Sequence, residues 1–132
     1  MTEGTDTQKI EEFLVKLEIN LEQARKTPNI WSIAQGAVDV YIIVAGGFLI
    51  IQSKIMDMPK SNLLTFYRKI LELNDNAEES LGASFGINKN SEVLLKVLRP
   101  TSHLNFEEFS YYLTSVTYVA DKFATYLRQK FS

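Results

Sequence analysis

Residues 38–56, VDVYIIVAGGFLIIQSKIM, decide how this chain folds. Two β-branched runs flank Gly46-Gly47, and a glycine pair supplies the positive φ angles that tight hairpin turns require. With the turn there, Ala45 faces Phe48, Val44 faces Leu49, Ile43 faces Ile50 and Ile42 faces Ile51. Further out, Tyr41 meets Gln52, Val40 meets Ser53 and Asp39 meets Lys54. Side chains alternate between the faces of a strand. One face therefore carries Val38, Val40, Ile42, Val44, Leu49, Ile51 and Ile55, with Ser53 its one polar member, and belongs in a core. The other carries Tyr41, Ile43, Ala45, Phe48 and Ile50 near the turn, then Gln52, Asp39 and Lys54. An Asp39–Lys54 pair would add ~0.2–1 kcal/mol. The second face is too apolar near the turn to be left in water. Tyr41, Ile43, Phe48 and Ile50 are accordingly the candidate partner-binding residues.

Upstream, residues 1–5 read as disordered, and Thr5-Asp-Thr-Gln8 has the form of a capping box opening a helix. Ile10, Phe13, Leu14, Leu17, Leu21 and Ala24 recur at helical spacing on one face, and Pro28 lies just past its end. Ile30–Gln35 reads as a short strand, with Trp31 a core or rim anchor and Gly36 the turn into the hairpin.

Downstream, Ser61 can cap a helix over residues 62–74. It carries two apolar stripes: Leu63, Phe66, Ile70 and Leu73, and beside them Leu64, Tyr67 and Leu71. One stripe suffices for a helix lying on a sheet. The second points either to contacts on both sides or to a helix sunk deep in its own domain; on the first reading Leu64, Tyr67 and Leu71 are the candidate self-association residues. A second hairpin, 81–87 with 92–99, turns through Asn88-Lys-Asn-Ser91. That pairing sets Gly86, Ser84 and Gly82 opposite Val93, Leu95 and Val97, which would let a helix approach the sheet closely. Asn105 and Glu108 have the spacing of a second capping box. The last helix then runs to about Gln129 on a seam of Phe106, Phe109, Leu113, Val116, Ala120, Phe123 and Leu127. It is roughly 36 Å long at ~1.5 Å per residue, so its tail is expected to overhang and touch another chain.

The 132 residues fit one domain. Hydrophobic residues make up 45%, enough to fill a single core. There is no cysteine, hence no disulfide framework and no thiol catalysis. A net charge of −2 argues against a nucleic-acid partner. The longest apolar run, residues 40–51, is broken by Gly46-Gly47 and falls short of the ~20 residues a membrane span needs. No basic, apolar secretory leader is visible. A soluble cytoplasmic protein is the expectation.

Catalytic chemistry has no foothold in the sequence. His103 is the one histidine, in a loop, without a cysteine or neighbouring acid. Asp75, Glu78 and Glu79 cluster but lack the alternating oxygen ligands and glycine of a calcium loop. Gly82-Ala-Ser-Phe-Gly86 does not lead into a helix N-terminus, as a phosphate-cradling loop must. No catalytic, metal or cofactor residue is assigned, and no cofactor is expected.

Over residues 31–127 the chain resembles the type III secretion chaperone-like superfamily, more closely the YbjN family and more distantly the Tir-chaperone (CesT-like) family. The residues that carry the resemblance are Met58-Pro59, Leu71-Glu-Leu-Asn74, Gly82-Ala-Ser-Phe-Gly-Ile87 with the strand from Glu92, and Leu104-Asn-Phe-Glu-Glu-Phe109 leading to Ala120-Asp121. The resemblance implies an α+β fold, an antiparallel sheet in the order α-β-β-β-α-β-β-α. It also implies a small acidic homodimer without enzymatic activity. In the secretion chaperones such dimers bind an extended stretch of an effector protein; YbjN-like proteins are described as regulators of sensory transduction. The resulting expectation is a non-catalytic protein-binding module, self-associating and taking an extended segment of another protein. The alternative is a domain for a small apolar ligand between sheet and last helix, with Tyr112, Tyr126 and Ser84 supplying polar groups.

Overall fold

The hairpin centred on Gly46-Gly47 forms in the register that the alternation requires. Both glycines have positive φ, 58° and 82°, and the six pairs from Ala45–Phe48 out to Val40–Ser53 are as expected. The structure is a computed structural model describing residues 2–131. Its elements are α1 (Thr2–Lys16), α2 (Leu21–Ala24), β1 (Arg25–Thr27), β2 (Ile30–Gln35), β3 (Val38–Ala45), β4 (Phe48–Asp57), α3 (Leu63–Asp75), α4 (Ala77–Ser80), β5 (Ser84–Ile87), β6 (Glu92–Pro100) and α5 (Phe106–Phe131). The strands form one antiparallel sheet in the order β1-β2-β3-β4-β6-β5. The short α2, β1 and α4 are additions to the α-β-β-β-α-β-β-α plan.

The core lies on one side of that sheet. Val40, Ile42, Val44, Leu49, Ile51, Ser53 and Ile55 are fully buried there. Ser53 escapes the cost of burial by donating to the Asp39 carbonyl at 2.7 Å. α5 lies across β4, β3 and β6, and α1 packs on β3 and α5. Phe13 joins the two helices through Phe106 and Phe109, with ring centroids 5.8 and 5.4 Å apart. Asn105 and Glu108 close the capping box that starts α5: Glu108 N donates to Asn105 Oδ1 at 2.8 Å and Asn105 N to Glu108 Oε1 at 3.1 Å.

The structure corrects several expectations. The first helix is not continuous to Ala24. It ends at Lys16 in a Schellman motif with Glu18 left-handed (φ 62°), Ile19 N bonding Leu14 O and Glu18 N bonding Val15 O. A glycine usually marks that position, and here none does. At the other end α1 starts at Thr2, so the segment taken as disordered is helical from there; Met1 lies outside the described residues. Asp6 anchors this end by accepting from Thr101 Oγ1 at 2.7 Å. The N-cap of α3 is Asn62, left-handed at φ 56° and without a side-chain cap, in place of Ser61. The Asp39–Lys54 ion pair does not form, because Lys54 Nζ turns to Asp57 at 2.9 Å and Glu92 at 3.1 Å.

The second hairpin is displaced by one residue. Its loop is Lys89-Asn90-Ser91 closed between Asn88 and Glu92, with Ser91 left-handed at φ 59°. A one-residue slip sends every side chain to the other face. Phe85 therefore opposes Leu95 and enters the core, while Ser84 and Gly86 oppose Lys96 and Leu94 on the outer face. Residues 81–83 precede the strand, with Leu81 left-handed after α4. No small-residue seam faces a helix. The tail of α5 does not overhang either: Leu127 and Phe131 are buried, and Phe131 packs edge-on against Phe66 at 5.0 Å.

Candidate functional site

The helices leave the opposite face of the sheet uncovered, and its side chains fall into rows across the strands. One row runs Ile30, Ile43, Ile50, Leu98; the next, toward the turn, runs Ala45, Phe48, Pro100. Leu98 is 51% exposed and Phe48 43%, while Ile30, Ile43 and Ile50 are half-buried by one another. Beyond them the row Ser32, Tyr41, Gln52, Lys96, Ser84 is polar or amphipathic. The face is thus divided, apolar at the Gly46-Gly47 end and polar at the other. Of the four candidate partner-binding residues, Ile43, Phe48 and Ile50 lie together in the apolar half. Tyr41, 37% exposed, stands on the polar row.

Leu98, Ile30 and Pro100 complete that patch and were not singled out from the sequence. Leu98 was accessible by alternation, since Val93, Leu95 and Val97 pointing inward leave it pointing outward. Ile30 required knowing that β2 pairs with β3 in this register.

The second surface is the outer stripe of α3. Phe66, Ile70 and Leu73 are buried, whereas Leu64 and Leu71 are 83% and 66% exposed and Tyr67 is also exposed. Together with Arg68, Glu72 and Asp75 they line a shallow groove of about 480 Å³. Arg68 Nε contacts Glu72 Oε2 at 3.2 Å, an exposed pair one helical turn apart that contributes little by itself.

The two edges of the sheet differ. At β5 the Asn74 side chain takes the place of a further strand: Phe85 N donates to Asn74 Oδ1 at 2.7 Å and Asn74 Nδ2 donates to Phe85 O at 3.1 Å. At the other edge β1 pairs only with Ile30 and Trp31, so residues 32–35 of β2 have no outer strand.

Among the described residues no group of three His, Cys, Asp or Glu is placed to hold a metal. Glu79, from the acidic cluster, instead pairs with Lys122 at 3.1 Å. His103 is exposed in the turn before α5. Among the described residues no helix is long and apolar enough to cross a membrane. The three polar groups considered for a ligand pocket under α5 do not converge: Ser84 is on the outer face, and Tyr112 lies under Arg99, 5.0 Å from guanidinium to ring.

Comparison with known proteins places these surfaces in context. The family model CesT_Tir_1 matches residues 3–131. None of the curated proteins matches the sequence. Among solved structures, the fold is similar to YbjN from E. coli, at TM-score 0.71 and 9% identity, covering 93% of this chain and 91% of that one. It is similar to a chain of the ExoU-SpcU complex of the Pseudomonas aeruginosa type III secretion system, at TM-score 0.69 and 9% identity, covering 88% and 95%. It is also similar to a chain of the complex between the Yersinia pestis type III secretion chaperone SycH and a fragment of YscM2, at TM-score 0.64 and 15% identity, covering 89% and 98%. At these identities the likeness is one of fold.

Proposed function

From the premise that the chain belongs to the CesT_Tir_1 family, we propose that it is a non-catalytic protein-binding module, a homodimer that holds an extended segment of another polypeptide. The fold is that of the type III secretion chaperones, and several of its structural neighbours are chaperones in complex with a partner protein. The observation that carries the reading is the pair of uncovered apolar surfaces. Large apolar patches exposed on one subunit mark interaction sites. In this reading Leu64, Tyr67 and Leu71 meet the same residues of a second copy, since a two-fold interface is self-complementary. Ile43, Phe48 and Ile50, with Leu98, receive apolar side chains of the partner segment. Strand addition is the companion mode, and residues 32–35 offer the edge for it, because Asn74 occupies the opposite one. The role is that of a chaperone or a regulator, exercised in the cytoplasm.

Native mass spectrometry of the protein purified from its own cell tests the reading. A dimer carrying a co-purifying polypeptide is expected, lost when Phe48 and Ile50 are both replaced by Glu. A bare monomer, or retention of the polypeptide by that variant, contradicts it.

A further inference from the structure

At the end of the sheet away from Gly46-Gly47, a cavity of about 660 Å³ opens between the end of β4, the 57–62 loop and the last turn of α5. Its walls are of two kinds. Met56, Met58 and Phe131 give it an apolar side, with Phe131 pinned by Phe66. Lys54, Lys60, Arg128 and Lys130 give it a cationic side.

The cationic side is assembled by a specific backbone irregularity. The β4–β6 ladder shifts register between Lys54 and Met56, so Ile55 stands in a bulge. Its carbonyl accepts from Arg128 Nε at 2.7 Å, and the Ala37 carbonyl accepts from Arg128 Nη1 at 3.1 Å. Bulges commonly re-aim side chains beside sites. Here the bulge also turns Met56 inward, burying it next to Ile55.

Charge in the cavity is unbalanced. Among the described residues the one acidic member of its lining is Asp57, bridged by Lys54 at 2.9 Å, and Lys54 is held as well by Glu92 at 3.1 Å. Lys60 makes no ion pair among the described residues, and Lys130 lies only against the Tyr126 ring, at 5.7 Å. The first turn of α3, opening from Asn62 in the same wall, has neither a side-chain cap nor an acidic residue, so its positive end is unneutralised. The whole chain is net negative, so this concentration of positive charge is local.

We propose that this cavity binds a small organic anion, its charged group between Lys60, Lys130 and the start of α3 and its apolar body against Met56, Met58 and Phe131. The volume falls within the ~300–1,000 Å³ of small-molecule sites. The site is separate from the surfaces assigned to polypeptides, so either assignment can fail without the other.

Anilinonaphthalene sulfonate, an anion with an aromatic body, serves as the probe, with binding followed by its fluorescence on the full chain. Saturable binding of one molecule per chain is expected, displaced by octanoate and not by inorganic phosphate at the same concentration. Lys60→Gln combined with Lys130→Gln weakens it at least about tenfold, the scale of a lost charge-assisted contact. Both lysines are exposed, so melting temperature should not change; Lys60→Glu alone is a second variant with the same expected direction. Leu71→Glu, on the outer stripe of α3 and away from its first turn, leaves the affinity as it was. Undiminished binding to the lysine variants, equal displacement by phosphate, or loss of the probe in the α3 variant overturns the proposal.

Discussion

Asn74 and Phe85 exchange two hydrogen bonds, so a helix side chain completes the ladder of an edge strand. A side-chain amide presents one donor and one acceptor in the same plane as a peptide group. It therefore satisfies both outward backbone groups of Phe85 and denies that edge to another chain. Asn74→Ala should cost about 1–3 kcal/mol, the penalty for two partly buried backbone groups left unpaired. Asn74→Asp keeps the acceptor and loses the donor, and should fall between. Chemical denaturation midpoints check the order; equal stability of all three proteins would deny the contact any role.

Gly36 is held against α5. Its φ is +58°, and a Cβ there would collide with the Asp121 carboxylate, which accepts from Ala37 N at 2.8 Å. Gly36→Ala should lose more than ~1 kcal/mol, from the left-handed backbone and the displaced carboxylate together. In an Asp121→Ala background the same substitution should cost less, because only the backbone strain remains. A double-mutant cycle by denaturation measures this coupling, and strict additivity would refute the collision.

Acid and alkali each weaken a surface cluster, through different groups. The Glu92 carboxyl is held below its ordinary value, first by the Asn88 amide and then by Lys54. Its contribution to stability is present above the unfolded carboxylate range and is lost as pH falls through the lowered folded value. The Lys54 ammonium is held above its ordinary value by Asp57 and then Glu92. Its contribution is present below the unfolded value and lost as pH rises through the raised one. Lys54 is exposed and Glu92 half-buried at the surface, so the effects are small and weaken with salt. Glu92→Gln should flatten the acid limb of stability against pH and lower the alkaline loss attributable to Lys54. An unchanged acid limb would show that the carboxylate takes no part.

The central hairpin was legible because two signals agree there: a glycine pair and the β-branched runs that flank it on both sides. The capping box at Asn105 and Glu108 was legible for the same kind of reason. What escaped was left-handed backbone on ordinary residues. Glu18 breaks the first helix and Ser91 sets the second hairpin one residue off, and neither position carries the glycine that normally announces such a conformation. The Ser91 shift alone turned Phe85 inward and Ser84 outward. The candidate surfaces were half legible. Periodicity separates Leu64, Tyr67 and Leu71 from the buried stripe of α3, and alternation exposes Phe48. That Leu98 and Ile30 join Ile50 and Ile43 in one row depends on strand order, a long-range property that local pattern does not encode.

Light scattering after gel filtration, run at high protein concentration on the native chain and on Leu64→Glu combined with Leu71→Glu, tests the claim that the outer stripe of α3 is covered by a second copy. Both leucines are exposed, so the fold should lose no more than about 0.5 kcal/mol per substitution. The account predicts twice 15.1 kDa for the native chain and 15.1 kDa for the variant. A native chain that stays at 15.1 kDa, or a variant whose mass equals that of a native dimer, would contradict it.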